Sequence, residues 1–218
     1  MSELWPWLTL FGLGAYHGIN PGMGWLFAVA LGLQEKSRRA VLGALPPIAL
    51  GHALSIASVV ALLWVAQASL PQKALRYGTA AILFGFGLYR FFRSRHPGWV
   101  GMRVGFRDLT LWSFLMASAH GAGLMLVPIL LGWSQADHAN HQGHMSDEGN
   151  NQMQSLNGLL AWLAAVLVHS AGHLFVAMLI ALVVYEKLGL ALLRRAWFNL
   201  DLLWMIALML SGLLILIL

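Results

Sequence analysis

The chain has 218 residues, 59% of them hydrophobic and only 10% charged, with a formal charge of +5 and no cysteine. Soluble domains run near a quarter charged, so this composition, with a mean hydropathy of +0.72, excludes a soluble globule, a disordered chain and a coiled coil. The missing cysteines exclude disulfides, thiolate metal sites and dithiol redox chemistry, and the basic balance of so apolar a chain reads as a topology signal rather than as nucleic-acid binding.

The chain begins Met1-Ser2-Glu3, with no basic start and no small-residue cleavage site, and is not read as a removed signal peptide. Six apolar stretches follow, at 5–33, 41–66, 74–92, 109–133, 157–185 and 196–218. Each reaches or approaches the roughly 20 residues that a transmembrane helix needs. Lys36, Arg38 and Arg39 lie between the first two stretches. Arg90, Arg93, Arg95, Arg103 and Arg107 lie around the third gap, and Lys187, Arg194 and Arg195 around the fifth. The other connections hold only Lys73 and Arg76. Positive residues stay inside. The expectation is an all-α polytopic protein of a bacterial-type inner membrane, multi-pass, with six transmembrane helices and both termini outside.

The two halves resemble one another. Stretch one carries Ala15-Tyr16-His17-Gly18 and stretch four Ser118-Ala119-His120-Gly121; stretch two carries Gly51-His52 and stretch five Gly172-His173. Three spans is an odd number, so two such halves insert with opposite topology. The expected architecture is two inverted three-helix repeats, 1–92 and 109–218, joined by a basic cytoplasmic linker at 93–108. Inverted repeats are typical of transporter folds with a substrate site near mid-bilayer.

Helical rise puts His17, His52, His120 and His173 each about 15–18 Å into its stretch, near the midplane of a hydrocarbon layer about 30 Å thick. His169 stands four residues before His173, on the same helix face. Ionisable groups inside spans are costly and mark pathways, and imidazole suits divalent transition metals. Residues 14–24 read GAYHGINPGMG. Pro21 removes a backbone donor and biases Asn20 away from helix, so a break is expected at Asn20-Pro21-Gly22, with freed carbonyls facing the interior. Pro46-Pro47 and Pro128 are weaker versions of the same signal. Asp201, beside Asn199, is the acidic residue inside a stretch and is read, with Asn20, as part of a proton or ion pathway. The polar outside loop 134–156 carries His138, His141 and His144 at a spacing of three, a metal-binding composition expected to lack order without metal.

Six spans in inverted halves, the Pro/Gly motif after His17, the intramembrane histidines and the His-rich loop together resemble the LysE/NicO-type transporter superfamily, which includes nickel/cobalt exporters. Nickel-permease relatives carry an Asp-His pair where this chain reads His17-Gly18-Ile19-Asn20-Pro21. The more distant CcdA/DsbD-like thiol carriers place cysteines at the places of His17 and His120. The expectation is a membrane transporter for a divalent transition-metal ion of the Zn, Ni, Co, Cu or Fe class. His17, His52, His120, His169 and His173 would bind it within the membrane, and the outside loop would capture it. Ligating imidazoles must be neutral, which couples binding to protons. The rival readings are a membrane metalloenzyme using the histidines as a catalytic centre and a haem-handling assembly protein. The expected partners are the lipid bilayer, the metal ion, a periplasmic metal-binding protein and further copies of the chain.

Overall fold

In a computed structural model, residues 4–92, 105–132, 148–188 and 200–217 are described. Among them every regular element is helical. Helix α1 (Trp5–Ile19) is followed by a 3-10 turn (Pro21–Met23) and α2 (Trp25–Glu35). Next come α3 (Arg38–Ser69), α4 (Gln72–Phe92) and α5 (Phe106–Ala119). Then α6 (Leu124–Gly132), whose first turn is 3-10, bends 49° away from α5. Helix α7 (Glu148–Val183) runs into a π-turn (Val184–Leu188), and α8 (Leu200–Ile217) closes the described chain. By length and composition, Arg38–Gln67 and Gly158–Lys187 are long and apolar enough to cross a membrane, and the bent pair α5–α6 makes a third candidate if it counts as one span.

The helix contacts give directions. A Cβ on Gly14 would lie 1.9 Å from the His169 carbonyl oxygen, and one on Gly18 would lie 2.5 Å from the His173 carbonyl oxygen. Numbers rise together, so α1 runs parallel to α7, backbone against backbone, a contact that tolerates no side chain. Helix α5 runs parallel to α3 in the same way. Ser113 Oγ donates to the Ile48 carbonyl at 2.7 Å, and the Ser55 and Ser118 hydroxyls meet at 2.8 Å. Ser118 spends its own proton on the Phe114 carbonyl, so Ser55 is the donor of that pair.

Helices α3 and α7 are antiparallel. Arg38 meets Glu186 at 3.3 Å at one end, His52 stacks on His173 in the middle, and Trp64 meets Trp162 edge-on towards the other end. Helices α4 and α8 are also antiparallel, with Gly87 against Met205 and Met209, and Gly212 against Ala80 and Phe84. Arg76 near the start of α4 donates to the Ile215 carbonyl at 2.9 Å and to that of Leu216. It thereby caps carbonyls that the end of α8 leaves unsatisfied.

Three sequence expectations change here. Pro46 and Pro47 lie inside an uninterrupted α3. In the fourth stretch the helix stops at Ala119, nine residues before Pro128, which lies inside α6; the positive φ of Gly121, 69°, makes the bend, a conformation that glycine adopts without a Cβ penalty. The last part of the expected 134–156 loop, from Glu148 onward, is helical and continuous with α7. Extending an existing helix avoids the cost of nucleation. His138, His141 and His144 lie outside the described residues.

Candidate functional site

The chain leaves α1 at Ile19. Asn20 turns extended (ψ 119°) and its side-chain oxygen accepts from the Gly22 N–H at 2.8 Å. Gly24, at φ 121°, restarts the helix as α2. The interruption therefore falls on Asn20-Pro21-Gly22. The freed carbonyls are largely used locally: His17 O accepts from Asn20 N, Asn20 O from Met23 N, and Ile19 O from the Trp25 indole at 3.0 Å. The freed carbonyls are expected to face the interior; these three are hydrogen-bonded within the break itself.

One turn before the break, His17 enters a cluster contributed by three helices. Its ring centre lies 4.9 Å from that of His169 and 5.4 Å from that of His52, edge-on to both. His52 stacks on His173 at 3.9 Å and lies nearly parallel to His169 at 5.6 Å. All four rings have no solvent exposure. His169, placed on the same face as His173 by sequence, is thus a full member of the group.

The cluster is rich in unmet hydrogen-bonding capacity. The backbone of Leu10 lies beside His169 and that of Met23 beside His173, yet no ring nitrogen of His52, His169 or His173 is in hydrogen-bonding geometry. A buried unsatisfied polar group costs about 1–3 kcal/mol. His17 differs: Nδ1 meets the Leu13 carbonyl at 3.1 Å. A carbonyl only accepts, so in the neutral ring Nδ1 carries the hydrogen and Nε2 the lone pair. A backbone carbonyl orienting one ring nitrogen is a common way of presenting the other to a metal.

His120 takes the same local form and a different place. Its Nδ1 donates to the Met116 carbonyl at 2.8 Å, again four residues back. It is buried and interacts electrostatically with His17. It also stands against the broken segment: a Cβ on Gly22 would lie 3.8 Å from His120 Cε1 and 3.6 Å from Met116 Cε. The register explains the separation. Gly172, just before His173, packs on Phe11 O and Ala15 N, whereas Gly51, just before His52, packs on Thr110 O and Phe114 N. Counted back from the helix histidine, the contact on α5 comes four residues earlier than the one on α1. His120 is thereby carried about one helical pitch, ~5.4 Å, past the position that His17 occupies.

In this ring arrangement the cluster is not a finished coordination shell. Among the described residues no three His, Asp or Glu side chains are disposed to hold one metal ion. Imidazole lone pairs lie in the ring plane, and stacked planes aim them side by side rather than at one point. Ring rotation about the Cα–Cβ and Cβ–Cγ bonds is needed to converge them. Stacking at 3.9 Å also leaves no space for a macrocycle between His52 and His173. No aspartate or glutamate is among the described buried polar residues. Asp201 belongs to α8, and its side chain lies outside the described residues. No known family model, curated protein or solved structure matches the chain.

Proposed function

We propose that the protein is a membrane transporter for a divalent transition-metal ion, with His17, His52, His169 and His173 as the transient binding site. The observation that carries this reading is the gathering of four fully buried imidazoles from three helices, with the ring nitrogens of His52, His169 and His173 unpartnered. A dication accepts imidazole lone pairs without the expense of burying several carboxylates. A donor set that closes on an ion only after ring rotation suits passage better than storage. The absence of a described carboxylate near the rings argues against the metalloenzyme reading, since catalytic centres recruit such groups, and the tight stacking argues against haem.

The transporter is built in this proposal from six spans in two inverted repeats of the LysE/NicO type, in an inner membrane, with both termini outside. Helix directions support it: α1 parallel to α7 mirrors α5 parallel to α3, while α3 with α7 and α4 with α8 are antiparallel self-pairs. Each half also interrupts its first span just after a histidine, at Asn20 and at Gly121. Arg38–Glu186 and Arg76–Ile215 then tie opposite ends of the bundle, with Arg38 on the basic face. His138, His141 and His144 capture the ion outside, and Asp201 carries the exchanged proton.

The test is metal analysis of purified protein together with uptake of Zn, Ni, Co, Cu and Fe into proteoliposomes. The expected result is saturable flux of at least one of these ions, lost in His52→Ala and His173→Ala while insertion persists. Equal flux in protein and empty vesicles overturns the reading.

A further inference from the structure

The helices meet in two different ways. In the first, backbone lies on backbone. Helix α1 meets α7 where a Cβ on Gly14 would lie 1.9 Å from the His169 carbonyl oxygen and one on Gly172 would lie 2.3 Å from that of Phe11. Helix α5 meets α3 where a Cβ on Gly51 would lie 2.2 Å from the Thr110 carbonyl oxygen, and Ser113 donates to the Ile48 carbonyl close by. Such contacts leave no side chain to rearrange, so each pair moves as one piece. Between α3 and α7 the described contacts run side chain to side chain: Arg38 with Glu186, His52 with His173 and Trp64 with Trp162. The ion pair is exposed, which gives it little hold, and the ring nitrogens of His52 and His173 make no hydrogen bond.

The chain passes from one pair to the other at the broken turn. Helix α1 stays on α7, whereas α2 lies on α3, with Gly24 against Ile48 and Gly32 against Val41. Between them Asn20 is extended and Gly24 has a φ of 121°, irregular backbone of the kind that absorbs rotation between packed bodies. The imidazoles divide unequally: His17, His169 and His173 ride on α1 and α7, and His52 alone rides on α3. Apolar packing closes the α3–α7 seam on both sides of the rings. Val41, Val184 and Tyr185 close it towards Arg38, and Leu63, Trp162 and Val166 close it towards Trp64.

We propose that two bodies, α1 with α7 and α3 with α5, part along the α3–α7 seam about a hinge at Asn20–Gly24, that Arg38–Glu186 and Trp64–Trp162 are the gates at its two ends, and that His52 is the ligand an ion gives up when a gate opens. This rests on the reading of the four imidazoles as a transport site. It differs from a rocking of one sequence repeat against the other, because each body takes one helix from each half of the chain.

The chain has no cysteine, so introduced pairs report alone. Phe11→Cys with Phe175→Cys lies within one body, where the two exposed rings are 6.5 Å apart. Arg38→Cys with Glu186→Cys and Trp64→Cys with Trp162→Cys lie across the seam. Each pair in the full-length protein is linked by a bifunctional thiosulfonate, and flux of Zn, Ni, Co, Cu and Fe into proteoliposomes is compared before linking, after it and after reduction. The 11–175 link should leave flux unchanged. The 38–186 link should stop it until reductant is added, while Zn(II) still binds in detergent through the other gate. Links at both gates together should shut Zn(II) out. Flux stopped by the 11–175 link, or unaffected by the 38–186 link, overturns the two-body division, while flux in the unlinked protein keeps the transport reading. Nitroxides on the same cysteines give a readout independent of flux, on exposed positions that folding tolerates: with Zn(II), dipolar broadening should change at 38–186 and stay fixed at 11–175. No flux in wild type overturns the transport reading. The two bodies then stand if the broadening changes only at 38–186, and fall if it changes at both pairs or at neither.

Discussion

Around His17, α1 lies backbone to backbone on α7 and the imidazole meets His169 and His52. Around His120, α5 lies on α3 through Gly51 and three serine hydroxyls, and the imidazole meets the broken turn of the other half. Each histidine is followed by glycine, bonds a carbonyl four residues back and sits near the end of a helix. One turn of difference in helix register, and Ile48 standing four residues before His52 where His169 stands four before His173, separate the two environments. Equivalent local chemistry therefore does not make equivalent sites; the docking register decides.

The strongest way to break this comparison is Gly14→Val. The added Cβ would meet the His169 carbonyl at 1.9 Å, so α1 must leave α7. Overpacking costs about 1–3 kcal/mol or more. The variant should unfold earlier in detergent, and a crosslink between cysteines introduced on α1 and α7 should fail. Gly12→Val, where the Cβ meets nothing within 4 Å, should do neither.

A second contrast compares the two histidine environments by divalent binding. His52→Ala should weaken Zn(II) binding by tenfold or more, about 1.4 kcal/mol, whereas His120→Ala should leave it within about twofold, as read by titration in nanodiscs. Equal losses would place His120 in the same shell. The contrast sharpens in stability, where the signs oppose. His52→Leu removes two unpartnered buried nitrogens and should raise metal-free stability by about 1 kcal/mol. His120→Leu removes a bond to the Met116 carbonyl and should lower stability by about 1 kcal/mol. Thermal unfolding of the two variants side by side measures both. The smallest effect is expected away from both histidine environments. Arg76→Ala uncaps the end of α8 and should cost about 0.5–1 kcal/mol with no change in metal binding.

Part of this was readable from the chain. The apolar stretches located the helices, because roughly 20 apolar residues with flanking charge have few other fates. The Asn20-Pro21-Gly22 break was readable because proline loses a donor whatever surrounds it. The bend at Gly121 was missed in favour of Pro128, because a lone glycine signals a positive φ only when packing demands one. Here Phe86 and Leu208 crowd that position at 3.1–3.4 Å from a built Cβ. The helical start of α7 at Glu148 was missed because a polar run has no periodicity to show, yet it extends a helix nucleated elsewhere.

The histidines divide along the same line. Spacing alone put His17, His52, His120 and His173 at similar depth, and put His169 on the face of His173, because rise per residue and residues per turn are properties of the backbone. Depth is one coordinate of three. Which rings meet depends on how helices far apart in sequence dock, and that is set by where glycines admit a neighbouring backbone: Gly14 and Gly18 for α1 on α7, Gly51 for α5 on α3. The sequence by itself determined an apolar helical chain with buried histidines and an interrupted first apolar stretch. Only the tertiary structure decided that His169 joins the cluster while His120 turns to Met116 and Gly22, because register between packed helices is fixed by close contacts that no single helix contains.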